Sequence, residues 1–276
     1  MPDLETLLAD VRACRVCAAH LPLGPRPVLR AASGARLMIV GQAPGTKVHE
    51  SGIPWDDPSG DRLRAWLDMD RDTFYDARRI AIIPTGFCYP GRAENGGDNP
   101  PRPECAPLWH PPLRAALPKI ALTLLVGTYA QAFYLGGRRA KTMTETVKAW
   151  RAYLPEFLPT PHPSWRTTGW LKRNPWFEAD VVPELRERVR GVLGSGTARG
   201  TPPARPQYSL ARFRVSYDRV SRFLGRRGRA GDGGPSASVP DAPRRRETRP
   251  EGRPCEAPGR RRAPLVMLQH HGAPRS

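Results

Sequence analysis

Two short loops contain the residues of this sequence that are best suited to bind or transform a ligand. The first is GQAPG at residues 41–45, which directly follows the apolar run LMIV at 37–40. Gly41 and Gly45 permit backbone conformations that a Cβ would forbid, and Pro44 fixes the turn between them. Loops at the carboxyl ends of strands line the ligand crevice of α/β proteins, and their amides suit a phosphate or a carbonyl oxygen. The spacing matches neither the GxxxxGK phosphate-binding loop nor the GxGxxG dinucleotide motif, and a simple turn is the alternative.

The second loop is PHPSW at residues 161–165, which follows the stretch EFLPT at 156–160. The imidazole of His162 can hydrogen bond through either ring nitrogen, although a histidine between two prolines could equally be a surface-loop residue. Trp55 lies ten residues after Gly45. Its flat aromatic face could contact a ligand, and a place in the hydrophobic core is the alternative. Together the two loops predict one ligand site at the edge of a parallel sheet.

Four of the five cysteines have a spacing that suits a metal centre. Cys14 and Cys17 form a CxxC pair, and Cys88 and Cys105 follow later in the chain. Soft thiolate ligands select zinc, copper(I) or iron–sulfur clusters, and both zinc and [4Fe–4S] sites use four cysteines. Unligated thiols are the alternative, and disulfides are uncommon in a reducing cytosol. The fifth cysteine, Cys255, has no predicted role.

The charge of the chain points to a polyanionic partner such as nucleic acid. The 276 residues carry a formal net charge of +18, and residues 191–276, with 18 arginines, no lysine and 6 acidic residues, contribute +12 of it.

No apolar run reaches the roughly 20 residues that cross a bilayer, and the N-terminus lacks a secretion signal pattern. We therefore expect a cytoplasmic protein that acts as a monomer and binds no membrane.

The hydrophobic pattern predicts strands that alternate with helices, which is typical of a parallel sheet with helices on both faces. The predicted strands cover residues 36–40, 79–84, 120–126 and 156–160. The predicted helices cover residues 3–13, 59–67, 108–117, 128–135, 142–152 and 178–193.

We expect one domain over residues 1–193, with a long loop at 85–106. Residues 194–276 read as a disordered tail rich in Arg, Pro and Gly, with a short amphipathic piece at 208–224.

A strand followed by GQAPG and a late strand followed by HPSW resembles the uracil-DNA glycosylase superfamily over roughly residues 1–190. The CxxC pair makes the sequence most similar to the iron–sulfur, family-four-like bacterial branch. The resemblance implies a three-layer α/β/α fold with a central four-stranded parallel sheet. It also implies a monofunctional hydrolase that removes uracil from DNA and leaves an abasic site. The implied cofactor is a [4Fe–4S] cluster, with zinc or no metal as alternatives, and its implied ligands are Cys14, Cys17, Cys88 and Cys105.

The resemblance implies a role for individual residues of both loops. Trp55 would stack on the flipped base, which Gly41 and Ala43 would also line. His162 would donate a hydrogen bond to uracil O2, with the backbone amide of Gln42 as a second donor. The residues implied in contacts with the minor groove and phosphates are Ser164, Trp165, Arg166, Lys172 and Arg173.

The sequence departs from the family pattern where relatives carry a carboxylate in the first loop. Gln42 and Ala43 cannot ionise, so we predict that His49 and Glu50, which precede Trp55, position the attacking water. Three further acidic candidates for this role are Asp56, Asp57 and Asp61.

Two other positions depart from the pattern. Some relatives have a tyrosine that excludes the thymine methyl group where this chain has Gly45. Gly86 stands where an asparagine would read the base edge, and we predict that the backbone of Gly86 and Phe87 does so. Asn95 and Asn99 are the alternative readers.

These departures leave two other functions open. The protein could bind uracil-containing or abasic DNA with little turnover, because the carboxylate of the first loop is missing. It could also release another deaminated base, such as hypoxanthine.

Overall fold

The structure is a computed structural model that describes residues 3–94 and 96–194. The prediction of a disordered tail therefore lies outside the described residues, apart from Gly194. The same holds for the amphipathic piece at 208–224, for Cys255 and for Asn95.

Four parallel strands form the centre of the domain, in the spatial order β2-β1-β3-β4. Their bounds are β1 Leu37–Val40, β2 Ile80–Ile82, β3 Leu122–Val126 and β4 Phe157–Thr160. Every strand residue is buried, which is why each strand is a nearly continuous apolar run rather than an alternating one. The predicted four-stranded parallel sheet is confirmed.

Helices cover both faces of this sheet and complete the three layers. The α-helices are α1 Leu4–Arg12, α2 Thr46–Ser51, α3 Pro58–Leu67, α4 Arg71–Tyr75, α5 Cys105–Ala115, α6 Thr128–Leu135, α7 Met143–Lys148, α8 Thr168–Arg173 and α9 Val182–Gly194. Met38 and Val40 of β1 share a core with α1, α5 and α6. Leu37 and Ile39 share the opposite core with α3, α7 and α9. The two faces follow from the alternation of side chains along a strand.

Several helices differ from the sequence prediction because local turns interrupt or extend the apolar pattern. The predicted helix over 142–152 ends at Lys148 and continues as a 3₁₀ turn over Trp150–Tyr153. A π-helical turn over Phe177–Val181 precedes α9. The short helices α2, α4 and α8 were not predicted, since five or six residues carry too little periodicity to be recognised.

The strand order creates a crevice at the carboxyl edge of the sheet. From β1 the chain first adds β2 on one side and then crosses to add β3 on the other, so the strand order reverses beside β1. In open α/β sheets, ligands bind at such a switch point. The loop at 41–45 follows β1 and the loop at 161–165 follows β4, so both lie at this edge.

Trp55 is held at this edge by an unusual backbone conformation and by its neighbours. Its φ of 59° lies in the left-handed region, which is costly for a residue with a large side chain. Its carbonyl oxygen lies only 1.8 Å from where a Cβ on Gly60 would stand, so α3 can approach only because residue 60 is glycine. The Tyr75 hydroxyl donates to the carbonyl of Pro54 at 2.9 Å and fixes the preceding residue.

We expect Gly60→Ala to lower the free energy of unfolding by about 1–3 kcal/mol, because the added methyl overlaps the Trp55 carbonyl. Gly191→Ala is the control, since a Cβ at that helical position meets nothing within 4 Å. That control should instead raise the free energy of unfolding by about 0.5–1 kcal/mol. Urea denaturation of both variants checks this, and equal stabilities would contradict the packing described.

Candidate active site

A cavity of about 470 Å³ opens at the carboxyl edge of the sheet. Both predicted loops line it, together with residues from several other segments of the chain. The residues relevant here are Gly41, Gln42, Ala43, Gly45, Trp55, Asp57, Asp98, Tyr129, His162, Ser164, Trp165 and Arg166. The sequence prediction that the two loops meet at one site agrees with this geometry.

The loop at 41–45 is fastened to the end of β2 through its carbonyl groups. The Thr85 hydroxyl donates to the carbonyls of Gly41 at 3.1 Å and Gln42 at 2.8 Å. The amide of Gly86 also donates to the Gln42 carbonyl, at 2.8 Å. Within the described residues, the amides of Gln42 and Ala43 donate to no protein group. The loop is thus rigid, and two of its donors remain available to a ligand.

Trp55 and His162 lie against each other at one end of the cavity, with ring centroids 5.4 Å apart and planes inclined by 32°. The indole rests on Gly41, where an added Cβ would lie 2.7 Å from Cζ2. His162 is accommodated in the same way by Gly127, which has a φ of 85° and whose Cβ position lies 3.2 Å from the Cβ of His162. Two glycines, each directly after a strand, therefore allow both rings to reach the same place.

The imidazole of His162 is neutral at physiological pH. Burial lowers its pKa to about 4, because the charged form would lose hydration. Neither ring nitrogen is hydrogen bonded to another side chain or backbone group of the described ranges. A neutral imidazole has one N–H donor, so the ring can donate to a ligand oxygen that gains negative charge.

The loop at 161–165 is anchored from α3 and from within. Arg62 donates through Nη1 to the Ser164 carbonyl at 2.9 Å, and the Thr167 hydroxyl donates to the His162 carbonyl. Trp165 nevertheless remains 76% exposed, and the guanidinium of Arg166 lies over its ring at 5.4 Å. An apolar ring held in water beside a cation is suited to contact a partner molecule.

Lys172 and Arg173 are exposed at the end of α8 and do not line the cavity. They follow the same loop in sequence, as predicted. Their contact with DNA stays a prediction.

The two residues predicted to position water lie elsewhere. His49 is buried on α2, with its ring centroid 6.0 Å from that of Tyr89, and Glu50 is exposed. Neither lines the cavity. Of the other acidic candidates, Asp56 pairs with Arg71, Asp61 pairs with Arg64, and Asp57 lines the cavity.

The residues predicted to read the base edge are also separated from the cavity. The Gly86 amide is already bound to the Gln42 carbonyl. Phe87 is buried and stacks on His110 at 5.8 Å. The Asn99 amide donates to the carbonyls of Pro90 and Arg92, both at 3.3 Å. The backbone of Phe87 is also engaged, since its amide donates to the Cys105 sulfur and its carbonyl accepts from the Val28 amide. Within the structure described, the Gly86 amide, the Phe87 backbone and the Asn99 side-chain amide are therefore already hydrogen bonded.

Sequence reasoning missed Asp98 and Tyr129, which both line the cavity. Asp98 lies in the loop predicted over 85–106, and its only sequence signal is an acidic residue directly after Gly96 and Gly97. Tyr129 lies at the start of α6, just after β3, where the carboxyl-edge rule would have selected it. Burial raises the pKa of both Asp57 and Asp98.

The four predicted metal ligands line one small cavity of their own, together with Gly86 and Phe87. Burial raises the pKa of Cys88 to about 11 and also raises those of Cys17 and Cys105. The amide of Phe87 donates to the Cys105 sulfur at 3.4 Å. Within the described ranges, no three His, Cys, Asp or Glu side chains are grouped closely enough to hold a single metal ion. The four thiols nevertheless line the same small cavity.

A parallel α/β sheet with a cavity at its switch point belongs to the open α/β class, in which ligands bind at the carboxyl ends of the strands. Residues 30–186 match the family model of the Uracil DNA glycosylase superfamily, which is more than half of the 276-residue chain. The chain belongs to this superfamily, as its two loops suggested.

One solved structure similar to this chain is the NMR structure of a candidate uracil DNA glycosylase from Methanosarcina acetivorans. It is 14% identical, with a TM-score of 0.37, and the match covers 59% of this chain and 98% of that one. In the part of the chain that the structure describes, no helix is both long and apolar enough to span a membrane.

We expect the ring nitrogens of His162 to titrate near pH 4. The unfolded histidine has a pKa of about 6.5, so protonation of the unfolded chain should lower the free energy of unfolding as pH falls from about 6.5 towards 4. Two-dimensional ¹H–¹⁵N spectra of the histidine rings measure the midpoint, with His162→Gln to assign the signal. A His162 midpoint near 6.5 would contradict the burial argument.

Proposed function

We propose that this protein is a monofunctional uracil-DNA glycosylase that hydrolyses the N-glycosidic bond of a flipped uracil and leaves an abasic site. The main support for the proposal is that Trp55, His162 and the loop at 41–45 line the same cavity, with the two rings in contact. Membership of the superfamily supports the same reaction type. The substrate is DNA that contains uracil.

The cavity suits an extruded base better than a base inside a duplex. Taking a nucleotide out of the stack costs a few kcal/mol, which the pocket must recover. Trp55 offers an aromatic face beside His162, so a planar ring can stack there. Gly41, Ala43 and Gly45 carry little or no side chain, which leaves room for the ring along the first loop.

Departure of the base leaves negative charge on uracil N1 and O2. His162 is neutral and still has one N–H that donates to no described group, so it can donate a hydrogen bond to O2. The free amide of Gln42 offers a second donor from the opposite loop. Donors fixed in advance towards developing charge supply one of the largest contributions to enzymatic rate.

The loop that carries His162 also offers a contact for the DNA. Trp165 is exposed beside the cavity and can fill the space that the flipped nucleotide leaves, as apolar wedges do in minor-groove proteins. Ser164 and Arg166 line the cavity mouth, and Lys172 and Arg173 extend the positive surface along α8.

We expect the protein to release uracil from a labelled oligonucleotide, so that alkali then cleaves the strand at the abasic site. His162→Ala should slow the single-turnover rate by about 10²–10³-fold, because one fixed donor to the leaving group is lost. His20→Ala, which alters an exposed histidine far from His162 in the sequence, should leave the rate unchanged. If His162→Ala kept the full rate, the oxygen-binding role would be wrong.

The same assay separates the alternative functions. A stable shifted complex with the base intact would indicate a uracil-binding or abasic-site-binding protein rather than an enzyme. Faster release from an oligonucleotide with hypoxanthine than from one with uracil would indicate a glycosylase for that base.

We also propose a [4Fe–4S] cluster held by Cys14, Cys17, Cys88 and Cys105, as in the iron–sulfur branch of the family. The four thiols line one cavity, and burial raises the pKa of Cys17, Cys88 and Cys105, so that a bound cation would be needed to keep these three as thiolates. Cys14 and Cys17 follow α1, while Cys105 begins α5. The cluster would therefore join two helices and the long loop as a structural centre that takes no part in base release.

Protein purified without oxygen should be brown, with a broad absorbance band in the blue and about four iron and four sulfide per chain. Cys88→Ser should lose most of this colour and lower the melting temperature. Cys255→Ser removes a thiol outside the set of four and should keep both. A colourless protein with one bound zinc ion would indicate a zinc site instead of the cluster. A colourless protein without metal would refute both kinds of site.

A further inference from the structure

The loop at 90–99 contributes Arg92, Gly97 and Asp98 to the lining of the candidate active site, and Asp98 is the acidic residue of the three. Backbone hydrogen bonds close this loop on itself, from the amide of Ala93 to the Gly97 carbonyl at 2.9 Å and from that of Asn99 to the Gly91 carbonyl at 2.8 Å. Its conformation is therefore fixed on both sides of Asp98. The carboxylate Oδ2 lies 3.2 Å from the position that a Cβ on Gly45 would take, so it touches the first loop directly.

Asp98 differs from the other acidic residues near the cavity in having no committed partner. Oδ1 of Asp57 accepts the amide of Gly60 at 2.8 Å and caps α3, while Asp56 and Asp61 are paired with arginines. Among the described residues, none donates a hydrogen bond to the Asp98 carboxylate or forms an ion pair with it. Its lone pairs are therefore available to a ligand or a water molecule.

The charges around Asp98 suit a carboxylate that works as a base. Burial raises its pKa, and Asp57 acts in the same direction. Arg92 and Arg166 act against this and favour the charged form. A raised pKa makes the carboxylate a stronger base, while the two arginines favour its charged form.

Asp98 lies beside Gly45, at the opposite end of the first loop from Gly41, on which Trp55 rests. Trp55 and His162 pack on Gly41 and Gly127 at the sheet edge. Asp98 is exposed towards solvent together with Trp165 and Arg166. A nucleotide that enters base first places its ring against Trp55 and leaves its deoxyribose at the mouth. The carboxylate then faces the sugar rather than the base.

We infer that Asp98 is a catalytic residue that binds the attacking water beside C1′ and accepts its proton. This inference rests on the proposed glycosylase function. The water oxygen forms a bond to C1′, the C1′–N1 bond breaks, and its electron pair leaves with the uracil anion. Asp98 takes the water proton, which then passes to solvent or to the departing base, so that uracil and an abasic site are the products.

Asp98→Asn tests this, since it keeps the shape of the side chain but removes the base. We expect the single-turnover excision rate to fall by about 100-fold or more. Affinity for an oligonucleotide with an uncleavable 2′-fluorinated deoxyuridine should be unchanged or higher, because a negative charge near the phosphates is lost. Asp98→Glu should recover part of the rate. Glu94→Gln removes the same charge from an exposed position of the same loop and should keep both properties.

The outcomes distinguish this inference from the proposed function. If the wild-type protein releases uracil and Asp98→Asn does so at the same rate, only the role of Asp98 is wrong. If Asp98→Asn loses affinity and melting temperature together with rate, Asp98 is structural and the inference also fails. If the wild-type protein releases no base at all, the glycosylase function itself is wrong.

Discussion

The candidate active site depends on one close approach, in which the indole of Trp55 rests on Gly41 and faces the imidazole of His162. No side chain larger than hydrogen fits at residue 41 without displacing the indole. The same constraint recurs at Gly60 under the Trp55 carbonyl and at Gly127 under His162. Three glycines from separate parts of the chain thus determine where two aromatic rings can meet.

The site is polarised from its inner end to its mouth. At the inner end, the neutral His162 and the free amides of the first loop offer donors to an oxygen. Towards the loop at 90–99, the carboxylate of Asp98 lies near the cations Arg92 and Arg166, and Asp57 also lines the cavity. In the proposed reaction, such an arrangement would separate the stabilisation of the leaving anion from the activation of water, and each needs the opposite polarity.

The second loop connects ligand binding to the surface that would meet DNA. Arg62 from α3 fixes the Ser164 carbonyl, and α3 also carries the glycine that packs under Trp55. One helix therefore positions both aromatic elements of the site. Trp165 stays exposed because the anchored backbone holds it away from the core. Only Pro163 and Ser164 lie between His162 and Trp165 in the sequence. A partner molecule that contacts Trp165 would therefore bind close to His162.

The sequence by itself determined the sheet, the two loops and the family, because these depend on local patterns. Apolar runs followed by glycine or proline define buried strands and their carboxyl turns, and each loop adjoins its own strand. The cysteine spacing likewise indicated four thiols that the fold gathers into one cavity.

Only the tertiary structure decided which polar residues face the ligand. His49 and Glu50 precede Trp55 in sequence, but on α2 they do not line the cavity. The sequence did not predict α2, because six residues show too little periodicity to be recognised as a helix. Asp98 lies 53 positions after Gly45 and reaches it because the loop at 90–99 closes on itself over the sheet edge. Contacts between distant segments depend on how the whole chain packs, and no local pattern in a single sequence encodes them.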